Sequence, residues 1–370
     1  MHQASSNPAK SASRRKTIVK LHRWLGLGAA AIWLVQALTG LLLAFHFEAE
    51  DALLTTRHQP TELGAIEQRL NRIAAAGGGG KVDWIWTTAG LPDRYVISFA
   101  GSDGTARKAY IDGAGAILRD RPAGEYSFFG FVRELHLTLV AGTAGHWILA
   151  VSGLLLVTNL IFGLVTAWPR RGEWRQALTP GGRRGSAIRT HRWHRAIGLW
   201  AACPALVIAA TGTLMLFEEQ VRDVVGATEV SLPANPATGA PIGFAAAARA
   251  SVAAIEGSRF VGTTLPSTGD ASYYAWVRAP GELYRGGYGG SLVIVDANDG
   301  AIRGAWPATE ASAAQAFVGS LYPLHTGESL GLAGRILTFA IGLWLAVTII
   351  LGLMLWWRKR RRAGPARADA

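Results

Sequence analysis

Four stretches of the chain, residues 25–47, 146–168, 196–217 and 336–357, are predominantly apolar and contain no Asp, Glu, Lys or Arg. At 1.5 Å of rise per residue, each is long enough to cross roughly 30 Å of hydrocarbon. A segment in that medium has no water to satisfy its backbone, so each is expected to be a transmembrane helix. The remaining composition agrees: half the residues are hydrophobic, 17% are charged, and the mean hydropathy is +0.21. That is too apolar for an ordinary soluble domain. The first stretch does not read as a cleaved signal peptide, because it runs into Glu48, Glu50 and Asp51 without a small-residue cleavage motif.

The net charge of +12 is unevenly spread. The tail 1–24, the connector 169–195 and the tail 358–370 hold 6, 8 and 6 Lys/Arg, against only Glu173 and Asp369. One side of the membrane therefore carries about +18 and the remainder about −6. By the positive-inside rule both termini and the connector are expected in the cytoplasm, in a bacterial inner membrane. The basic excess then reports topology in a lipid bilayer, with no nucleic-acid partner. Trp24, Trp147, Trp168, Trp193, Trp356 and Trp357 stand at the span ends, where interfacial aromatics belong. A single Cys excludes a disulfide framework and any multi-Cys metal cluster.

Segments 48–145 and 218–335 are expected on the periplasmic side, each large enough for a small domain. Residues 61–76 read as an amphipathic helix, followed by strands at 95–99, 108–111 and 116–119 with Gly-rich turns. The second segment repeats this order: a helix at 244–255, then strands near 273–277, 291–295 and 301–303. The expected fold class is thus an α-helical membrane protein of four transmembrane helices in two parallel repeats, with two periplasmic α+β domains. The duplication is visible in residues. His22-Arg-Trp-Leu-Gly26 matches His194-Arg-Ala-Ile-Gly198 at an offset of 172, which also carries Thr39-Gly40 onto Thr211-Gly212. Leu135-His136 matches Leu324-His325 at an offset of 189, which carries Gly145, Gly153, Gly163 and Trp168 onto Gly334, Gly342, Gly352 and Trp357. Parallel repeats imply a pseudo-twofold axis along the membrane normal, across which equivalent residues meet at equal depth.

Seven of nine histidines cluster at span ends: His22, His191 and His194 at one side, His46, His136, His146 and His325 at the other. Taken singly, such a residue is an ordinary interfacial side chain. As pairs across a twofold they suit the two axial positions of a haem, His22/His194 for one and His136/His325 for another. His191 fits the His-Arg-Trp string better than His194, and sits three residues away on the same helix face, so it stands as an alternative. His46 and His146, whose equivalents are Glu218 and Arg335, are further candidates for the outer haem, its propionates or a substrate. Zinc is a weaker reading, since carboxylates at helical spacing are missing.

Other motifs carry less. Gly77-Gly-Gly-Gly-Lys81 lacks the Ser/Thr of a phosphate loop, with Val82 in its place, and reads as a flexible linker. No dinucleotide fingerprint follows a strand. Cys203 beside Pro204 reads as a packed thiol at a proline kink.

The repeated His-Arg-x-x-Gly-Leu opening, the Thr-Gly-x-Leu-x-x-Phe exit, the Leu-His entry and the closing Trp-Pro-Arg-Arg and Trp-Trp-Arg-Lys-Arg together resemble the PepSY-associated transmembrane family, over residues 17–362. The segments ending in Tyr110-Ile-Asp112 and Ile294-Val-Asp296 turns resemble PepSY domains. The resemblance implies iron-regulated inner-membrane proteins and ferric-siderophore reductases carrying haem. It makes His22, His194, His136 and His325 the axial ligands of two haem b groups, and His46, His146 and His191 local variants. The leading expectation is a di-haem electron-transfer protein that reduces a ferric siderophore or other ferric chelate in the periplasm, with electrons from a cytoplasmic donor. No catalytic acid or base is needed for that. The alternative is a membrane-anchored PepSY module that binds or inhibits periplasmic proteins without redox activity. It leaves the matched histidine pairs unexplained. Solute transport is disfavoured by uncharged spans.

Overall fold

The apolar stretches fold as helices because a backbone in hydrocarbon can satisfy its own hydrogen bonds only that way. The computed structural model describes residues 8–54, 57–76, 81–88, 93–181, 186–228, 230–283 and 290–362; Gly77 to Gly80 of the glycine-rich run lie outside them. In chain order the first half contains α1 (Pro8–Leu43), α2 (His46–Leu54), α3 (Leu63–Ala76), β1 (Val82–Thr87), β2 (Arg94–Ala100), β3 (Ala106–Asp112), β4 (Ile117–Pro122), α4 (Phe128–Thr138) and α5 (Gly142–Ala167). A short α6 (Trp174–Leu178) follows. The second half contains α7 (Ser186–Trp200), α8 (Ala202–Leu216), α9 (Glu218–Val225), α10 (Phe244–Ala253), β5 (Arg259–Thr264), β6 (Ser272–Arg278), β7 (Ser291–Asp296), β8 (Ile302–Trp306), α11 (Ala313–Thr326) and α12 (Gly331–Arg362).

Among the described residues, α1, α5 and α12 are each long and apolar enough to cross a membrane. The fourth stretch, expected as one helix over 196–217, is instead split between α7 and α8, which bend by 65° at Ala201. Pro204 accounts for the break: it has no N–H for the Trp200 carbonyl, and its ring clashes with that carbonyl. Cys203, expected to be packed at this kink, is exposed. The first span also ends earlier than the apolar run, at Leu43. The His46 ring Nδ1–H donates to the Leu43 carbonyl at 2.6 Å, and the Arg335 guanidinium donates to the Ala44 carbonyl at 2.7 and 3.2 Å. Side chains thus take the last carbonyls, and α2 starts a new direction. Within the bundle α1 packs on α4, α5 and α12, α8 on α5 and α11, and α7 on α12.

All eight strands form one antiparallel sheet in the order β4-β3-β2-β1-β5-β6-β7-β8. The two long segments, read above as separate small units of three strands each, are joined through β1 and β5, which pair at Trp84–Thr264, Ile85–Thr263 and Trp86–Gly262. Gly262 belongs at that join, since a Cβ there would clash with the Trp86 ring at 2.4 Å and the Ile85 carbonyl at 2.6 Å. Helices α3 and α10 cover one face. Ile66, Leu70 and Ile73 of α3 and Phe244 and Ala248 of α10 bury against Ile85, Ile97 and Ile111. Each buried aliphatic side chain there contributes about 1.5–3 kcal/mol. The sheet is tied to the end of α1 through α2: Arg94, 1% exposed, donates from Nε to Asp51 at 2.7 Å and from Nη2 to the Arg57 carbonyl at 2.5 Å.

Candidate functional site

The histidines that matter are carried by elements of two kinds. His22 and His194 lie within α1 and α7, whereas His136 and His325 lie on the short helices α4 and α11 that lead into α5 and α12. Each short helix begins at a defined cap. The Ser127 hydroxyl accepts from Gly130 N–H at 3.0 Å, and Ser312 forms a capping box with Gln315. These caps fix where the helix starts and so where its histidine, near the last turn, comes to rest.

The four rings meet in two pairs. His22 and His194 have ring centroids 6.2 Å apart, and His136 and His325 have centroids 6.3 Å apart. The interplanar angles are also alike, 44° and 42°. From His22 to Thr39, which contacts His136, α1 rises about 25 Å, so the pairs stand at two depths of the bundle.

Backbone carbonyls fix the rings. His22 Nδ1–H donates to the Asn159 carbonyl at 3.1 Å, His194 Nδ1–H to the Thr348 carbonyl at 3.1 Å, and His325 Nδ1–H to the Ile208 carbonyl at 2.9 Å. His136 Nδ1 lies 2.8 Å from the Thr39 hydroxyl, whose own hydrogen goes to the Val35 carbonyl at 2.7 Å. The ring nitrogen is therefore the donor there too, and the Gln36 carbonyl is a further acceptor. In all four, Nδ1 carries the proton and Nε2 keeps the lone pair that binds a metal.

Glycine sits beside each ring. A Cβ on Gly163 would lie 3.1 Å from His22 Cε1, on Gly352 3.4 Å from His194 Cε1, on Gly40 3.2 Å from His136 Cε1, and on Gly212 2.5 Å from His325 Cε1. Gly163, Gly352 and Gly212 each follow by four the residue whose carbonyl takes the histidine proton, Asn159, Thr348 and Ile208, and Gly40 follows Gln36 by the same spacing. The sequence aligns these glycines between the halves without revealing this role, since a backbone carbonyl acceptor has no residue identity.

The remaining candidates fall elsewhere. His191 is exposed and makes no ring pair with His22. His46 holds the Leu43 carbonyl and packs on Phe47 at 3.9 Å, while His146 Nε2–H donates to the Leu216 carbonyl at 3.1 Å and packs on Trp147. The structure does not bring His46 and His146 together as a pair. His146 does for the end of α8 what Arg335 does for the end of α1.

A metal–imidazole bond of about 2.0–2.1 Å and a ring radius of about 1.1 Å place two imidazoles on opposite sides of one metal ion with centroids about 6.3 Å apart. Both pairs have that spacing. Among the described residues no third His, Cys, Asp or Glu joins either pair, so each offers two nitrogen donors and no more. That donor set suits iron whose other four positions are filled by a porphyrin. Buried polar atoms without a hydrogen-bond partner stand beside both pairs: Thr348 Oγ1 at the first, Gln36 Nε2 at the second.

No curated protein matches the chain. The family model for the PepSY-associated TM region matches residues 19–359. With nearly the whole chain covered, the protein belongs to the PepSY-associated TM region family.

Proposed function

We propose that this chain is a di-haem electron-transfer protein of a bacterial inner membrane, which reduces a ferric chelate such as a ferric siderophore in the periplasm with electrons from a cytoplasmic donor. The observation that carries the reading is the pair of imidazole pairs, both at the separation that axial ligation of one iron requires. In this reading His22 and His194 hold haem b near the cytoplasmic face, and His136 and His325 hold a second near the periplasmic face. Haem, when bound, supplies one-electron chemistry at iron.

The protein's own residues do the rest. The four Nδ1–H bonds hold each ring in one tautomer and one orientation and raise the basicity of Nε2. The four glycines let the rings lie close against neighbouring helices. The uncharged spans keep water from the centres. The matched offsets support two parallel repeats inserted the same way, with the basic tails and connector inside and the PepSY-like segments outside. Reduction of the chelated iron to Fe(II) weakens its hard-oxygen ligation and releases the metal.

The test is anaerobic mixing of pre-reduced, full-length protein with a ferric chelate, with the protein's reoxidation followed beside ferrous iron trapped by a chromogenic chelator. Matched loss of reduced protein and gain of Fe(II) is expected. A reduced protein that persists alongside every ferric chelate offered contradicts the reductase reading.

A further inference from the structure

The face of the sheet that α3 and α10 leave uncovered carries a group of cations set among aromatic rings. Strand pairing places Lys108 opposite Arg121 and Tyr110 opposite Arg119 across β3 and β4, so all four side chains share that face. The Lys108 ammonium lies over the Trp84 ring at 6.0 Å, and the Arg121 guanidinium over the Tyr110 ring at 5.4 Å. Arg121 is anchored by Nη2–H to the Tyr110 hydroxyl at 2.8 Å and by Nη1–H to the Glu125 carbonyl at 3.1 Å. Its Nε–H is buried and has no partner. Among the described residues no carboxylate pairs with Lys108, Arg121 or Arg133.

Arg133 of α4 is within electrostatic range of both Lys108 on the sheet and His46 at the end of α1. Burial, then the Arg121 and Arg133 guanidiniums, hold the Lys108 ammonium below the usual lysine range. Glu50 and Glu48 also lie near His46 on the Arg133 side, whereas on the sheet Lys108, Arg119 and Arg121 share a face, where a half-buried lysine and an orphaned arginine donor are costs that an anionic guest relieves. Arg133 also lies three residues before His136, so α4 runs from the cluster to the second histidine pair.

We infer that Lys108, Arg121 and Arg133, with the ring faces of Trp84 and Tyr110, form the docking site for an anionic, oxygen-donor ferric chelate. The inference rests on the reductase reading above and adds to it the charge of the substrate and the place where it binds. The cations take the chelate's negative oxygens through charge-assisted hydrogen bonds, and the rings take its flat ligand arms. Arg133 stands one turn of α4 from His136, so that helix links the site to the proposed periplasmic centre.

The experiment titrates the full-length protein in detergent with redox-inert gallium(III) chelates, followed by calorimetry and by tryptophan fluorescence. An anionic gallium tris-catecholate is expected to bind with an affinity that falls as salt rises, and a cationic gallium trihydroxamate to bind much more weakly. Lys108→Gln and Arg121→Gln are each expected to weaken the anionic chelate about tenfold or more. Equal affinity for the two chelates, or an unchanged affinity in both variants, overturns the site. So does loss of haem in both variants with chelate affinity unchanged, which would give the cluster to the haem's own carboxylates. If either variant fails to fold, the charge preference and salt dependence of the wild-type protein still decide. Failure of the reductase reading is separable: a haem-free protein that still binds the anionic chelate sinks the electron carrier and keeps the site, while a haem-loaded protein that ignores it does the reverse.

Discussion

A recurring unit of three residues organises the bundle: a histidine, the backbone carbonyl that takes its Nδ1 proton, and a glycine four residues beyond that carbonyl. It occurs at His22 with Asn159 and Gly163, at His194 with Thr348 and Gly352, and at His325 with Ile208 and Gly212; at His136, beside Gln36 and Gly40, the Thr39 hydroxyl stands as the nearer acceptor. The histidines and glycines were legible, because two offsets align them. The acceptors were not, because a backbone carbonyl has no residue identity: Asn, Thr, Gln and Ile serve equally. This unit predicts graded effects of added bulk. Gly212→Ala puts a methyl 2.5 Å from the His325 ring and, on the di-haem proposal, is expected to remove most of the haem assigned to the second pair, whereas Gly352→Ala, at 3.4 Å from His194, is expected to leave the first pair's nearly intact. Quantitation of haem in the purified variants distinguishes the two. By the same logic, His46→Ala and His146→Ala are expected to lower thermal stability through the lost helix-end hydrogen bonds, by about 0.5–1.5 kcal/mol each, with haem content unchanged.

At the level of elements, the helices α3 and α10 and six of the eight strands were visible from periodicity and turn residues. The strands β1 and β5 were not. In β5, Gly262 reads as a breaker, yet the close approach of Trp86 across the β1–β5 join requires it. The short helices α4 and α11 were also missed, although their histidines were found: Pro323 inside α11 reads as a helix breaker, and α4 runs with only a short break into the apolar stretch of α5. What holds sheet and bundle in register is local and polar. Arg94 is buried against Asp51 of α2, and Asp51 also meets His58 at 3.2 Å. Removing the arginine leaves a carboxylate that is only 12% exposed without its main partner. Arg94→Ala is therefore expected to cost about 3 kcal/mol. It should appear as a clearly lower midpoint in detergent thermal unfolding, with His58→Ala much milder. Equal midpoints for Arg94→Ala and wild type would show that the α2 tether is dispensable.

For the molecule as a whole, the sheet spreads outward from β1 and β5 in both directions, while the two histidine pairs lie at different depths of the helix bundle. Charge distribution gave the proposed orientation, since short basic segments and long, slightly acidic ones alternate along the chain. The joining of both long segments into one sheet was not legible, because pairing between residues some 180 positions apart leaves no mark in local composition. Orientation is open to a direct test in a Cys203→Ala background. A membrane-impermeant maleimide is expected to label Ser102→Cys in intact spheroplasts and Arg175→Cys only after permeabilisation. The reverse pattern would invert the proposed electron path. The most direct test of the central claim is haem quantitation with oxidised and dithionite-reduced spectra of the full-length protein purified from haem-replete cells. The account predicts about two haems per chain, about one after either His22→Ala or His136→Ala, and none after both. A colourless wild-type protein, or a double variant that keeps its haem, would contradict it.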